Sequence, residues 1–140
     1  MKRSMKNTLL LLLFLAAFTI LSQLFGGTGI SPDFQEDALT VTGPEQYSFT
    51  VDYDRIAALE LVELTDPGSP VSGGENRRYF WGVWENDAWG EYTVCAAKKT
   101  DAAVLITTLD GRRLAFNYTN DDTTSSILTM FTELLASREK

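Results

Sequence analysis

The chain has 140 residues, with 12 lysines and arginines against 19 aspartates and glutamates, no histidine and one cysteine. One cysteine excludes an internal disulfide, and the absence of histidine excludes metal sites and acid–base pairs that depend on imidazole. Residues 33–140 contain all 19 acidic side chains and nine basic ones, so their formal charge is −10. Such a charge disfavours general binding of nucleic acid or anionic lipid.

The first 25 residues combine a basic start with an apolar run. An uncharged stretch, residues 8–25, follows three basic residues: Lys2, Arg3 and Lys6. A helix of roughly 18 residues spans about 27 Å, close to the thickness of a bilayer core. We therefore predict a signal anchor at residues 1–25, a single-pass protein with its N-terminus in the cytoplasm, and a domain outside the cell membrane. The Leu-rich core Leu9–Ala17 also fits a signal that is cleaved to secrete the domain.

The next segment is predicted as a linker followed by strands. Residues 26–37 are rich in glycine and acidic residues, which favours a linker before a domain at residues 38–140. Ala38–Thr42 and Gln46–Val51 are short β-rich runs, and the second alternates apolar and polar side chains, as in a half-buried strand. Ile56–Leu64 is also predicted as a strand, although its Ala, Leu and Glu residues suit a helix.

A polar segment and an aromatic segment follow. Thr65–Arg78 contains two prolines and three glycines and is predicted as a loop. Tyr79–Tyr92 carries all three tryptophans, and its acidic centre indicates the turn of a β-hairpin. Because neighbouring residues of a strand point to opposite faces, some of these aromatic rings are expected to face outward.

The last part of the sequence predicts three strands and one helix. Glu91–Ala97 and Ala102–Thr108 are predicted strands, and Arg113–Tyr118 pairs back on the latter through the turn Asp110-Gly111. A helix at residues 119–137 is predicted from acidic caps and from apolar residues at three- and four-residue steps: Ile127, Met130, Phe131, Leu134 and Leu135. The order predicts a mainly β (α+β) fold in which the helix covers a bent antiparallel sheet of about seven strands.

This order resembles a bacterial pleckstrin-homology-like (PH-like) domain over roughly Phe49–Leu135. The residues that carry the resemblance are the strand around Ile56, Gly73-Gly74, Gly82, Gly90, Val104–Thr108, Asp110-Gly111, Leu114–Asn117 and the closing helix. The resemblance implies a seven-stranded bent sheet or partly open barrel with a C-terminal helix, often attached to membrane segments, and it implies no activity. Eukaryotic relatives bind phosphoinositides through basic residues in the first hairpin loop. Here that loop is Gly43-Pro44-Glu45, so phosphoinositide binding is not expected.

The candidate binding residues come from the aromatic segment and the loop before it: Arg77, Arg78, Tyr79, Trp81, Trp84 and Trp89. Aromatic and arginine side chains dominate many recognition surfaces, but the rings also suit the core of a small sheet. Three basic doublets, Arg77-Arg78, Lys98-Lys99 and Arg112-Arg113, form an anionic site only if the fold brings them together.

The expected function is a non-catalytic interaction module that binds another envelope protein, with no cofactor, metal or catalytic residue assigned. Cys95 is interpreted as a small buried hydrophobe. The alternatives are a secreted domain that binds a glycan or small ligand through surface tryptophans, and an enzyme. An interaction module predicts an exposed apolar patch around the tryptophans, a glycan binder predicts a groove with exposed rings, and an enzyme predicts a deep pocket with perturbed carboxylates.

Overall fold

The computed structural model describes residues 29–118 and 120–138. The anchor predicted for residues 1–25 lies outside these ranges. Among the described residues, no helix has the length and apolar character needed to cross a membrane.

Three strands form a small antiparallel sheet in the order β1-β2-β3: β1 (Ser31–Phe34), β2 (Ala38–Thr42) and β3 (Ser48–Asp52). β1 lies inside the segment predicted as a linker, so that part of the prediction is wrong. Its side chains alternate between exposed and buried positions, with Pro32 and Phe34 facing the core. Four residues are too few for this alternation to stand out against the glycines and acidic residues around it.

Six strands form the larger sheet: β4 (Ile56–Glu63), β5 (Ser69–Glu75), β6 (Tyr79–Asn86), β7 (Gly90–Ala97), β8 (Ala102–Thr108) and β9 (Arg113–Phe116). Their order is β4-β8-β9-β7-β6-β5. Every neighbouring pair is antiparallel except β7 and β9, which run parallel with Val94 opposite Ala115. The described residues therefore form nine strands in two sheets, where about seven in one antiparallel sheet were predicted.

β5 replaces much of the loop predicted for Thr65–Arg78. It is an edge strand with almost entirely exposed side chains, so it has no alternating apolar pattern to reveal it. Its pairing with β6 brings Gly73 opposite Gly82, and both glycines have positive φ angles of 101° and 108°. A Cβ on Gly82 would collide with the carbonyl oxygen of Ser72, so this close approach of two backbones requires glycine.

Several predicted elements are confirmed. β4 occupies the Ile56–Leu64 segment, and β6 and β7 form the hairpin expected in the aromatic segment. β8 and β9 pair around the Asp110-Gly111 turn, where Gly111 has a φ of 88° and donates its N–H to the carbonyl of Thr108 at 3.0 Å. The C-terminal helix, α1, spans Asp121–Arg138.

Helix α1 and the small sheet cover one face of the larger sheet, which we call the inner face. Phe131 of the helix is fully buried, and its ring meets Phe34 and Tyr53 edge-on at centroid distances of 5.1 and 6.1 Å. The side chain of Asn120 caps the helix by accepting the N–H of Thr123 at 2.8 Å. The described part of the chain is thus mainly β, with two sheets and one C-terminal helix.

Candidate functional site: a cleft on the outer face of the larger sheet

The face of the larger sheet that points away from helix α1, the outer face, carries a second buried apolar cluster. Its members come from β6 to β9 and from the end of β4: Leu64, Phe80, Trp84, Tyr92, Val94, Ala96, Ala103, Leu105 and Ala115. Small side chains on the central strands leave space for the rings of β6 and β7, and Phe80 meets Trp84 edge-on at 5.0 Å. The larger sheet therefore buries apolar side chains on both of its faces.

The segment between β4 and β5, residues 64–68, is fixed over this cluster. Tyr92 donates its phenol O–H to the carbonyl of Pro67 at 2.6 Å, and Asn86 donates its side-chain amide to the carbonyl of Asp66 at 3.3 Å. Burial, with a smaller contribution from the Asp66 carboxylate, raises the pKa of the Tyr92 phenol above its ordinary value. The N–H of Leu64 is held by the carbonyl of Asp101 at 2.6 Å.

A cleft of about 300 Å³ opens between this segment and the ends of β5, β6 and β7. It is lined by Leu64, Thr65, Pro67, Glu75, Phe80, Trp84, Ala97, Lys98 and Asp101. The floor is apolar, and the rim carries a 2.9 Å ion pair between Lys98 Nζ and Glu75 Oε2, with the exposed Asp101 beside it. Such a site suits one apolar group with a cation next to it.

The structure separates the tryptophans predicted as binding residues. Trp81 is 8% exposed and lies in the core of the inner face, whereas Trp84 is 3% exposed and forms part of the cleft floor. Trp89 is half-buried and meets Tyr92 edge-on at 5.0 Å. They therefore do not form the exposed apolar patch that was predicted around them for an interaction module, because the strand alternates its side chains between two covered faces. Of the three, only Trp84 lines the cleft.

The fold places the three basic doublets at two different ends of the larger sheet. Arg77 and Arg78 are exposed in the turn between β5 and β6, and Tyr79 follows them half-buried at the start of β6. Lys98 donates its backbone N–H to the carbonyl of Arg78 at 2.8 Å, so the doublets Arg77-Arg78 and Lys98-Lys99 lie side by side. Arg113 contacts the carbonyl of Trp89 at 3.2 Å, which places the third doublet at the opposite end of the sheet.

Trp84 is the one cleft residue among the six named binding candidates. The polar segments contribute four residues that were not named: Thr65, Pro67, Glu75 and Asp101. The first three lie in or beside the segment predicted as a loop, and Asp101 lies in a short connection with no distinctive pattern. They meet because β4 pairs with β8 and β5 pairs with β6. The sequence signal that could have pointed to the first three residues is the proline- and glycine-rich composition of Thr65–Arg78, because long loops often carry functional residues.

Cys95 and Asp110 are groups with shifted pKa values that lie away from the cleft. Cys95 is fully buried in the inner face, and burial raises the pKa of its thiol to about 12. A hydrogen bond from Thr108 and the nearby Arg112 lower the pKa of Asp110 in the exposed β8–β9 turn. No group of three or more cysteines and acidic residues within the described ranges is arranged to hold a metal ion.

Comparisons with protein-family models, with curated proteins and with solved structures gave no match to this chain.

Proposed function

We propose that this chain is a membrane-anchored, non-catalytic binding module whose β domain lies outside the cell membrane and binds another envelope protein through the cleft. The observation that carries this proposal is an open cleft with an apolar floor between the two segments singled out in the sequence, Thr65–Arg78 and Tyr79–Tyr92. The basic leader followed by an uncharged apolar run supports the membrane location.

The charged residues that line the cleft itself favour a basic group of the partner. Glu75 and Asp101 place two carboxylates at the rim against the one cation of Lys98, and the chain from residue 33 onward carries a formal charge of −10. Electrostatic complementarity increases association rates and excludes acidic partners. The proposed ligand is therefore a protein segment that inserts one apolar side chain into the cleft and places a lysine or arginine against Asp101.

The buried rings disfavour the alternative of glycan binding. A sugar stacks on an aromatic face that is open to solvent, whereas Trp81 and Trp84 are 8% and 3% exposed. Trp89 is half-buried and already packed against Tyr92. A protein side chain needs only a pocket of its own size, so the cleft fits that ligand better.

We also propose that the fold is related to PH-like domains. The order of strands followed by one C-terminal helix supports this relation. The parallel pair β7–β9 and the additional strands β1 and β5 are the features in which this chain departs from the seven-stranded antiparallel pattern.

Charge reversal at the rim tests the proposed binding. We expect Asp101→Lys to weaken partner capture by about tenfold, or about 1.4 kcal/mol, because the partner's cation would then face a like charge. The readout is photocrosslinking in intact cells from a photoreactive amino acid at the exposed cleft residue Thr65, with quantification of the discrete adduct. The matched control is Asp87→Lys, which makes the same charge change at an exposed position in the β6–β7 turn that does not line the cleft.

The same photoreactive residue at Leu109, which is 62% exposed in the β8–β9 turn, controls for contacts that any exposed apolar position makes. The proposal predicts an adduct from position 65 that Asp101→Lys reduces and Asp87→Lys leaves unchanged. Equal adduct yields from the two positions, or equal losses in the two variants, would contradict binding through the cleft.

A further inference from the structure

We propose that two loops beside the point where the leader joins the domain contact the phosphate groups of anionic phospholipids in the membrane that holds the leader. These basic loops are residues 76–78, between β5 and β6, and residues 98–101, between β7 and β8. The inference rests on the membrane anchoring in the proposed function and adds an orientation to it, with this end of the domain facing the bilayer.

The two loops form one ordered surface. Lys98 donates its backbone N–H to the carbonyl of Arg78 at 2.8 Å, which joins one loop to the other. The side chain of Asn76 accepts the N–H groups of Arg78 and Tyr79, each at 2.8 Å. Asn117 donates to the carbonyls of Ala97 and Thr100 at 3.2 and 3.1 Å and so holds the second loop. The backbone thus presents its basic residues from fixed positions.

The described chain enters the domain next to these loops. Gly29 lies against the ring of Tyr79 so closely that a Cβ at Gly29 would overlap the ring, and Tyr79 directly follows Arg78. The apolar run of the leader ends at Phe25, and a chain of four residues spans at most about 14 Å. In the proposed arrangement, the basic loops are therefore held close to the membrane surface.

The two loops themselves carry a formal charge of +3, unlike the domain as a whole. The carboxylates of Glu75 and Asp121 flank them, and Asp121 accepts the backbone N–H of Ala102 at 3.1 Å. Arg77, Arg78 and Lys99 are exposed, and their side chains form no salt bridge within residues 29–118 and 120–138. Lys98 is paired with Glu75, and Asp101 is the one carboxylate in the two loops. Four of the nine basic residues after the leader are thus placed on the side where the leader attaches.

The anchor explains how an acidic domain makes this contact. The formal charge of −10 repels an anionic surface when the domain is free in solution, but the leader fixes the domain at the surface and supplies a high effective concentration. Electrostatic attraction then acts over about 8 Å at physiological ionic strength and favours the side with the cations. The contact requires only a lipid phosphate, and it involves neither the Gly43-Pro44-Glu45 turn nor a specific headgroup.

Chemical protection in vesicles tests this orientation. The full chain is reconstituted into vesicles of phosphatidylcholine alone or of phosphatidylcholine with phosphatidylglycerol. Water-soluble lysine and arginine reagents are added outside, and modified peptides are measured by mass spectrometry. We expect the modification rates of Arg77 and Lys99 to fall at least threefold in the anionic vesicles and to recover at 1 M NaCl. Arg112, at the other end of the sheet, is the internal control and is expected to react equally in both.

Three outcomes would overturn the inference. They are equal reactivity of Arg77 in the two lipids, equal protection of Arg112, and the same protection by inorganic phosphate without vesicles. Flotation of the chain with phosphatidylcholine vesicles in high salt separates the inference from the proposed function. A chain that does not float lacks the proposed anchor, and the inference fails with it. A chain that floats with an unprotected Arg77 contradicts the inference alone.

Discussion

Replacing Phe131 with alanine is expected to lower the free energy of unfolding by about 3–5 kcal/mol. Phe131 is fully buried where helix α1 meets the inner face, and its ring contacts Phe34 of β1 and Tyr53 after β3. The truncation therefore removes an apolar side chain, leaves a cavity, and loses two edge-on aromatic contacts at once. Urea unfolding followed by tryptophan fluorescence measures the change.

Thr129→Ala on the exposed side of the same helix is the matched control. The Thr129 side chain is exposed, and its hydroxyl donates to the carbonyl of Ser125 in the same helix at 3.2 Å, so a change within about 0.5 kcal/mol is expected. A loss below about 1 kcal/mol in Phe131→Ala would show that the helix does not close the core as described.

Replacing Asn117 with leucine is expected to cost about 3 kcal/mol or more, although the two side chains have similar sizes. Asn117 is fully buried after β9, and its amide oxygen accepts the N–H of Ala97 at 2.7 Å. Its amide nitrogen donates to the carbonyls of Ala97 and Thr100. Leucine would leave one backbone donor and two backbone acceptors without these partners, and each such loss costs about 1–3 kcal/mol.

Asn117→Asp separates the hydrogen bonds from packing. The aspartate keeps the acceptor for Ala97, but its ionised form would be fully buried against two carbonyl oxygens, so we expect its folded-state pKa to be raised above the unfolded value of about 3.9. A raised pKa stabilises the fold below the unfolded value and loses that stabilisation as the pH rises. Denaturant midpoints measured from pH 3 to 7 are therefore expected to fall with pH relative to wild type. An unchanged pH profile would contradict the burial of this side chain.

The sequence predicts the elements whose pattern is local. β4, the β6–β7 hairpin, the turn at Asp110-Gly111 and helix α1 follow from runs of alternating or three- and four-residue spacing, and from turn residues. Such patterns do not predict β1 or β5. The four residues of β1 are too few to show alternation, and β5 exposes nearly every side chain. Their strand conformation is set by pairing with β2 and β6, which is a tertiary effect.

The residues of the cleft could likewise be predicted only in part, because most of them are brought together by strand pairing and not by a local sequence pattern. Trp84 was a candidate residue and forms part of the cleft floor, whereas Trp81 lies on the other face of the sheet. The sequence could not separate the two, because both faces of the sheet are covered and neither tryptophan lies on a polar face. Asp101 reaches the cleft only because β8 pairs with β4, a contact that no local pattern contains.

The parallel pair β7–β9 arises from the path of the chain. After β7, the chain crosses the end of β9 through residues 98–101, forms β8, and returns through the Asp110-Gly111 turn to place β9 between β7 and β8. Asn117 holds this crossing, so a single buried amide supports both the strand order and the loop that carries two cleft residues, Lys98 and Asp101.

The most direct measurement of the proposed arrangement is the side of the membrane on which the domain lies. Leu109→Cys places a thiol at a position that is 62% exposed, whereas the native Cys95 is fully buried with the pKa of its thiol raised to about 12. A membrane-impermeant maleimide is added to intact cells whose outer layers are permeable, and to lysed cells. Extracytoplasmic anchoring predicts equal labelling of Leu109→Cys before and after lysis, in the membrane fraction, and none of the wild type until it is denatured. Labelling that appears only after the inner membrane is broken would contradict it.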